Sequence, residues 1–144
     1  MDYNNYTNEQ LLQFVEETSD YNEMDHALNE LMKRSSAKAF DLGMDILIND
    51  KGDQFLQASV WSTCYDYDNI YTVMLMNQRC VLMGWSLIET VLLSMYNYDA
   101  SLLPSNFKNL IIDSYNNMPK EKKVEFSGIF KYFLDNIKKA RRGY

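Results

Sequence analysis

Pairs of carboxylates are the first candidates for chemistry in this sequence. Asp41 and Asp45 stand four residues apart, a spacing that places both on one face of a helix, and Glu16 is followed directly by Glu17. Two acids that face one another can act as general acid and base or hold a metal ion. The chain carries 20 acidic residues, so such pairs arise by chance, and we assign no catalysis to them.

A calcium loop and a histidine-based site are the other candidates, and neither is complete. Residues 49–53 read Asn-Asp-Lys-Gly-Asp, but Lys51 stands where a calcium ligand is required and no glutamate follows at the necessary distance. His26 is the single histidine, with no suitably spaced cysteine to complete a metal site. The sequence also lacks Gly-x-Ser-x-Gly and the glycine-rich phosphate loops. We therefore predict no enzymatic activity, no catalytic residue, no metal site and no cofactor.

An acidic, tyrosine-rich tetrapeptide occurs twice. Residues 65–68 read Tyr-Asp-Tyr-Asp, residues 96–99 read Tyr-Asn-Tyr-Asp, and an apolar helical stretch runs into each. Tyrosine supplies a large contact area for little loss of side-chain freedom, and carboxylates beside it attract a basic partner. We predict that these two corners form a protein-binding surface. Its candidate residues are Trp61, Tyr65, Asp66, Tyr67, Asp68, Tyr71, Tyr96, Tyr98 and Asp99.

The alternative location for these rings is the protein core. Tyr65 follows Trp61 by four residues, so the two rings share a helix face and Tyr65 is expected to pack against Trp61. Aromatic residues at helical spacing are more often buried than exposed, so about half of the five tyrosines are expected in the core. The sequence does not select which half.

Capping residues mark where the helices that position these corners begin. Thr7 with Gln10 fits a capping box, and Asp20 with Glu23 repeats the pattern. The stretch 80–95 is nearly apolar apart from Glu89, which predicts a helix surrounded by others. Further starts are predicted at polar or proline residues that precede an apolar pattern, namely Ser35 or Ser36, Asp53, Asp68 or Asn69, Pro104 and Pro119. Together these signals predict about eight helices in one all-α domain over residues 1–144.

Short connections between helices determine how they are expected to pack. Linkers of about two to six residues force consecutive helices to pack antiparallel. Hairpins that recur every 30 to 45 residues or so stack on one another, because one pair cannot cover its own apolar face. We predict antiparallel helical hairpins stacked as a short HEAT-like solenoid, and a compact irregular bundle is the alternative.

Charge is distributed unevenly along the chain. The formal net charge is −6, with 14 acidic and 4 basic side chains in residues 1–70 and 6 acidic and 10 basic in residues 71–144. An acidic half repels nucleic acid and attracts a cationic protein. Lys138, Lys139, Arg141 and Arg142 stand where they complement the carboxyl end of the last helix. We therefore predict a basic protein partner and no direct nucleic-acid partner.

Targeting signals and cysteine usage indicate the compartment. The first residues have neither a basic start nor an apolar run, and no stretch reaches the roughly 20 apolar residues of a membrane span. Cys64 and Cys80 lie within apolar pattern and are expected to be buried thiols. We predict a cytoplasmic protein that does not contact a membrane.

The middle of the chain is similar to a known family. Residues 39–43 (AFDLG) through 53–59 (DQFLQAS) to the corner at 65–68 resemble the central segment of small HEAT-like immunity proteins, which are encoded beside bacterial toxins, including those of contact-dependent growth inhibition systems. The resemblance implies a cytoplasmic protein that binds a cognate toxin domain, commonly a basic nuclease, and occludes its active site. The resemblance assigns no contact residue to this chain, because these families diversify in sequence at the interface with the toxin.

Charge, tyrosine content and this resemblance lead to one expected function. We expect an immunity protein that neutralises a basic toxin, with a ribonuclease as the expected toxin activity, because a carboxylate-rich surface can imitate the phosphates that a nuclease cleft holds. The alternative is a helical scaffold or adaptor that binds a peptide or helix of another protein.

Overall fold

The computed structural model describes residues 2–141, and all regular structure in that range is helical. This confirms the all-α fold class, with nine α-helices in the described residues where about eight were predicted. Arg142, the last of the predicted basic residues, lies outside the described range. Three 3₁₀ turns occur at Tyr3–Asn5, Met76–Gln78 and Ala100–Leu102. The α-helices are α1 (Asn8–Glu17), α2 (Tyr21–Lys33), α3 (Ala37–Ile48), α4 (Gln54–Tyr67), α5 (Asn69–Leu75), α6 (Trp85–Met95), α7 (Ser105–Asn116), α8 (Lys120–Glu125) and α9 (Ser127–Arg141).

Several predicted helix starts are confirmed by side chains that accept hydrogen bonds from the first turn. Thr7 and Gln10 form the reciprocal capping box: the Gln10 amide donates to the Thr7 hydroxyl at 3.2 Å, and the Thr7 amide donates to the Gln10 side chain at 2.8 Å. Asp20 caps α2 in one direction only, by accepting from the amides of Asn22 and Glu23. The next three helices, α3, α4 and α5, are capped by Ser36, Asp53 and Asp68.

The helix predicted over residues 80–95 begins only at Trp85. The buried Arg79 side chain donates to the carbonyl oxygens of Val81 at 2.7 Å and Leu82 at 3.1 Å, which holds the preceding segment out of helical conformation. In a helix these carbonyls would accept from backbone amides one turn later. Cys80 lies in this segment and is exposed, so the prediction of two buried thiols is wrong for Cys80.

The Arg79 guanidinium also joins this segment to α3 and α4. It donates to the Leu47 carbonyl at 2.6 Å, to the Gln57 side chain at 3.0 Å and to Asp50 at 3.2 Å. Together with the bonds to Val81 and Leu82, these contacts give all five guanidinium N–H groups a partner. A buried charge is tolerated only when it is paired and hydrogen-bonded in this way.

Helices α6 and α7 are capped by side chains from earlier parts of the chain. The Gln54 side-chain oxygen accepts from the Ser86 amide at 2.9 Å, and the Asn77 side-chain oxygen accepts from two amides in the first turn of α7, at 3.0 and 3.2 Å. The residues that immediately precede these helices supply no side-chain cap. A Cβ atom at Gly84 would lie 2.5 Å from the Gln54 side-chain oxygen and 2.8 Å from Gln54 Cβ, so a larger residue at this position would displace the Gln54 cap.

The last predicted helix is two helices, α8 and α9, which meet at Phe126. The Tyr115 hydroxyl donates to the Lys123 carbonyl at 2.6 Å, and the Ser127 hydroxyl donates to the Val124 carbonyl at 2.9 Å. These side-chain bonds compete with the backbone bonds of a continuous helix. The break therefore follows from side chains that a hydrophobic pattern does not reveal.

Helix α4 lies at the centre of the fold and contacts α2, α3, α5 and α6. Helix α6 in turn contacts α7 and α9, so one continuous apolar core runs from Leu11 in α1 to Ile137 in α9. Within residues 2–141, none of the helices combines the length and the apolar character that a bilayer crossing requires. The corner at 65–68, which joins α4 to α5, is therefore supported directly by the central helix.

Candidate protein-binding surface

Trp61, which was predicted in the binding surface, lies in the core. Its side chain is 0% exposed, and its ring packs against Phe107 with centroids 5.8 Å apart. Its indole N–H donates to the Ser94 hydroxyl at 2.9 Å, so the polar atom is also satisfied inside the protein. A side chain with no exposed surface cannot contact a partner of the folded chain. Trp61 therefore supports the corner from beneath and is not a contact residue.

The two tyrosine-rich corners meet at Tyr65 and Tyr98. The Tyr65 ring stacks on Trp61 with centroids 5.5 Å apart and also packs against Tyr98 at 6.3 Å. The Tyr65 hydroxyl donates to the Ser94 carbonyl at 3.3 Å. Burial raises the pKa of both phenols, and the Asp66 carboxylate raises that of Tyr65 further. These half-buried rings join the corners and leave only part of their surface to a partner.

An exposed apolar surface lies beside the first corner and is formed by Tyr67, the last residue of α4, together with residues of α5. Tyr67 and Tyr71 pack against Phe40 of α3, with centroid distances of 5.3 and 5.7 Å, yet they remain 41% and 43% exposed. Ile70 and Met74 are 56% and 55% exposed. We call Tyr67, Ile70, Tyr71 and Met74 the α5 face.

Ile70 and Met74 were missed in the sequence-based prediction. No local signal separates them from buried positions. The seven residues of α5 include apolar side chains on several sides of the helix, and the structure buries Thr72 and Val73 among them. Such a pattern is typical of a buried helix, so it does not predict an exposed apolar patch.

Carboxylates border the α5 face without a basic partner. Asp66 and Asp68 are exposed, and none of the ion pairs formed within residues 2–141 includes either of them. The Asp68 carboxylate accepts from the Tyr71 amide at 3.0 Å, which fixes its position at the start of α5. Their negative charge is therefore free to attract a cationic partner.

Of the residues predicted at the second corner, Tyr98 contacts the first corner, and Asp99 and Tyr96 have other partners. Asp99 is exposed and accepts from the Ser101 amide at 3.0 Å and the Ser101 hydroxyl at 2.7 Å, which lowers the pKa of Asp99. Tyr96 stacks on Tyr132 of α9 with centroids 4.4 Å apart. Among the described residues, none of the aromatic contacts joins Tyr96 to the α5 face. Tyr96 thus belongs with α9, apart from the first corner.

Asp50 of the 49–53 loop and the neighbouring Asp45 of α3 both accept hydrogen bonds from other side chains of the protein. Asp45 accepts from Lys51 and Asn49, and the hydrogen bond from Lys51 is the main reason that its pKa is lowered. Asp50 accepts from Gln57 and Arg79. In the described part of the chain, no group of three or more histidine, cysteine, aspartate or glutamate residues is arranged to hold a metal ion.

The lone histidine has a structural neighbour. His26 is exposed on α2, and its ring packs against Tyr3 with centroids 6.0 Å apart.

No protein-family model, no curated protein and no solved structure matches this chain. The exposed apolar and acidic groups at the first corner are therefore the observations from which function has to be inferred.

Proposed function

We propose that this protein is an immunity protein, which binds a cognate bacterial toxin domain, a basic ribonuclease, and neutralises it by occluding the active site. The observation that carries the proposal is the α5 face, where four exposed apolar side chains border the carboxylates of Asp66 and Asp68. Aromatic and apolar anchors with a polar rim are the composition of protein interfaces.

The charge of the chain supports a cationic partner. Residues 1–70, which include Asp66 and Asp68, hold 14 acidic and 4 basic side chains. A ribonuclease cleft is positive because it binds phosphates, so a carboxylate-rich surface is attracted to it over a distance and competes for the same groups. The attraction acts mainly on the rate of association and weakens with salt.

The helix contacts support a HEAT-like arrangement as part of this proposal. Helix α1 contacts α2, and α3 contacts α4, as the two members of a hairpin do. Helices α2, α4, α6 and α9 form a row in which each contacts the next. We propose that these are antiparallel hairpins stacked as a short solenoid, a rigid frame suited to presenting a binding surface.

The cellular setting follows from the same proposal. An immunity protein of contact-dependent growth inhibition type acts in the cytoplasm, where it meets the toxin that enters or is made in the same cell. It binds its target without catalysis, so the exposed carboxylates act through charge and not as acid or base.

The experiment is to co-express this chain with the toxin domain encoded beside its gene. We expect the chain to restore growth and to bind the toxin with kinetics that depend on salt. Asp66→Asn with Asp68→Asn should slow association several-fold at low salt and reduce its salt dependence. Asparagine caps helices about as well as aspartate, so α5 keeps its start while the charge is removed.

A matched variant separates local charge from net charge. Asp113→Asn with Asp135→Asn removes two other exposed carboxylates, from α7 and α9, and should leave association unchanged. Equal slowing by both double variants would show that only net charge matters. Failure of the chain to restore growth or to bind the adjacent toxin would overturn the proposed function.

A further inference from the structure

A separate, concave surface lies between α1, α2, α3 and α4 and shares no residue with the α5 face. It is a cavity of about 370 Å³ that is open to the outside. Its charged and polar edge includes Glu16, Tyr21 and Lys51. Its apolar lining consists of Val15, Met24, Leu42, Ile46 and Leu56. We call this surface the α1–α3 groove.

A wider hollow lies beside the groove, between α1 and α3. This hollow has a volume of about 560 Å³ and shares Glu16, Leu42 and Asp45 with the groove. Leu12, Lys38 and other side chains of α1 and α3 complete its lining. The two cavities thus adjoin each other at these shared side chains, and we refer to them together as the depression.

The floor of the depression is apolar and partly open. Val15, Ile46 and Leu56 are buried, while Met24 and Leu42 are half-buried and reach the opening. Covering such surface with apolar side chains of a partner is favourable in proportion to the area removed from water.

The rim of the depression is acidic. Glu9, Glu16, Asp41 and Asp45 face it, and Lys51 is neutralised by its ion pair with Asp45. Glu16 and Asp41 are exposed, and their carboxylates take part in none of the ion pairs or side-chain hydrogen bonds of residues 2–141. Apart from the paired Lys51, Lys38 is the one basic side chain among the described residues that line the depression. The lining therefore carries an excess of negative charge.

We propose that the α1–α3 groove binds a basic amphipathic helix of a partner protein. Apolar side chains spaced i, i+4 on that helix enter the groove between α1 and α3, against Leu42 and Val15. Lysine or arginine side chains beside them meet Glu16 and Asp41 on the rim. An apolar groove with charged walls is the usual receptor for an amphipathic helix, and the charges here select a basic one.

Other occupants fit the groove less well. Nucleic acid is repelled by the acidic rim. A second copy of this chain offers basic residues on α9, but the apolar side of α9 is buried in its own core at Phe130, Phe133 and Ile137. The α1–α3 groove is separate from the α5 face, so its binding can be tested without the toxin.

The experiment measures binding of a fluorescently labelled, lysine-rich amphipathic peptide of about 16 residues, or roughly four helical turns, with leucines at i, i+4 positions. A second peptide has the same charge and serine in place of leucine. The leucine peptide should bind the folded chain at low salt and the serine peptide should not. Glu16→Gln with Asp41→Asn should weaken binding about fivefold, since each rim pair contributes little by itself.

The matched control is Asp113→Asn with Asp135→Asn, which removes the same charge outside both the groove and the α5 face and should leave peptide affinity unchanged. Equal weakening by both double variants, or equal binding of both peptides, would reduce the effect to non-specific charge and overturn the proposal. Absence of peptide binding at low salt would overturn it too. Self-association that Glu16→Gln with Asp41→Asn abolishes would assign the groove to a second copy instead.

Discussion

The ring of Tyr65 packs against the ring of Tyr98 with centroids 6.3 Å apart, so the first tyrosine-rich corner touches the second. Tyr65 also reaches the Ser94 carbonyl through its hydroxyl at 3.3 Å. The contact ties the end of α4 to the chain that follows α6. It explains why these two tyrosines are half-buried while Tyr67 and Tyr71 remain exposed.

Stability should fall at alkaline pH because of this contact. The pKa values of Tyr65 and Tyr98 are raised above 10.0 in the folded chain, first by burial. In the unfolded chain these phenols lose their protons near the ordinary value, so their contribution to stability is present below pH 10.0 and lost as the pH rises through the folded pKa. Urea unfolding at neutral pH and above pH 10.0 measures this loss, and Tyr65→Phe should make the alkaline fall shallower. A stability that stays constant above pH 10.0 would contradict the burial of these hydroxyls.

Trp61→Ala should destabilise the fold by about 3–5 kcal/mol, because it leaves a cavity beneath the corner and an unpartnered Ser94 hydroxyl. Thermal or urea unfolding measures the change. Tyr96→Ala is the surface control, since Tyr96 is 52% exposed, and it should cost much less. If the two variants proved equally stable, Trp61 could not be part of the core.

Arg79→Met should cost about 3 kcal/mol or more of unfolding free energy, because the carbonyls of Leu47, Val81 and Leu82 lose their donor. Arg79→Lys should recover only part of this, since lysine has three donors for five acceptors. Lys51→Met removes a cation from an exposed ion pair and should cost less than about 1 kcal/mol. Urea unfolding ranks the three variants, and a mild Arg79→Met would mean that water replaces the guanidinium.

The two thiols should react at different rates with an aromatic disulfide reagent. Cys80 is exposed, whereas burial raises the pKa of Cys64 to about 12 and keeps it protonated and covered. One thiol per native chain should therefore react quickly, and Cys80→Ser should abolish the fast phase. Cys64→Ala is the control that should preserve it. Two fast thiols in the folded chain would contradict the packing of α4.

Local signals in the sequence predicted much of the helical architecture. Thr7, Asp53 and Asp68 cap their helices through bonds to residues three positions away, so the sequence contains the whole interaction. Arg79 is different, because its partners include Leu47 and Gln57, which lie far away in sequence. The non-helical segment after Arg79 could not be predicted from the apolar pattern, because apolar residues such as Val81 and Leu82 predict a packed helix there and are instead exposed.

The candidate surface was predicted only in part for a similar reason. Tyr65 near the end of α4 and Tyr71 in α5 are the same residue type and lie six residues apart. Tyr65 packs against Trp61 and Tyr98. Tyr71 packs on Phe40 and stays exposed. Their environments depend on which helices pack on each side of α4. No single-sequence pattern carries that information, and the apolar composition of α5 likewise did not indicate that Ile70 and Met74 are exposed.

The side-chain oxygens of Gln54 and Asn77 accept hydrogen bonds from backbone amides that lie 32 and 29 residues further along the chain. During synthesis on the ribosome, both side chains emerge well before the backbone amides from which they accept hydrogen bonds. The early part of the chain therefore supplies caps that the first turns of α6 and α7 do not supply for themselves, and a cut between the two parts would leave both of these helix starts without a side-chain cap.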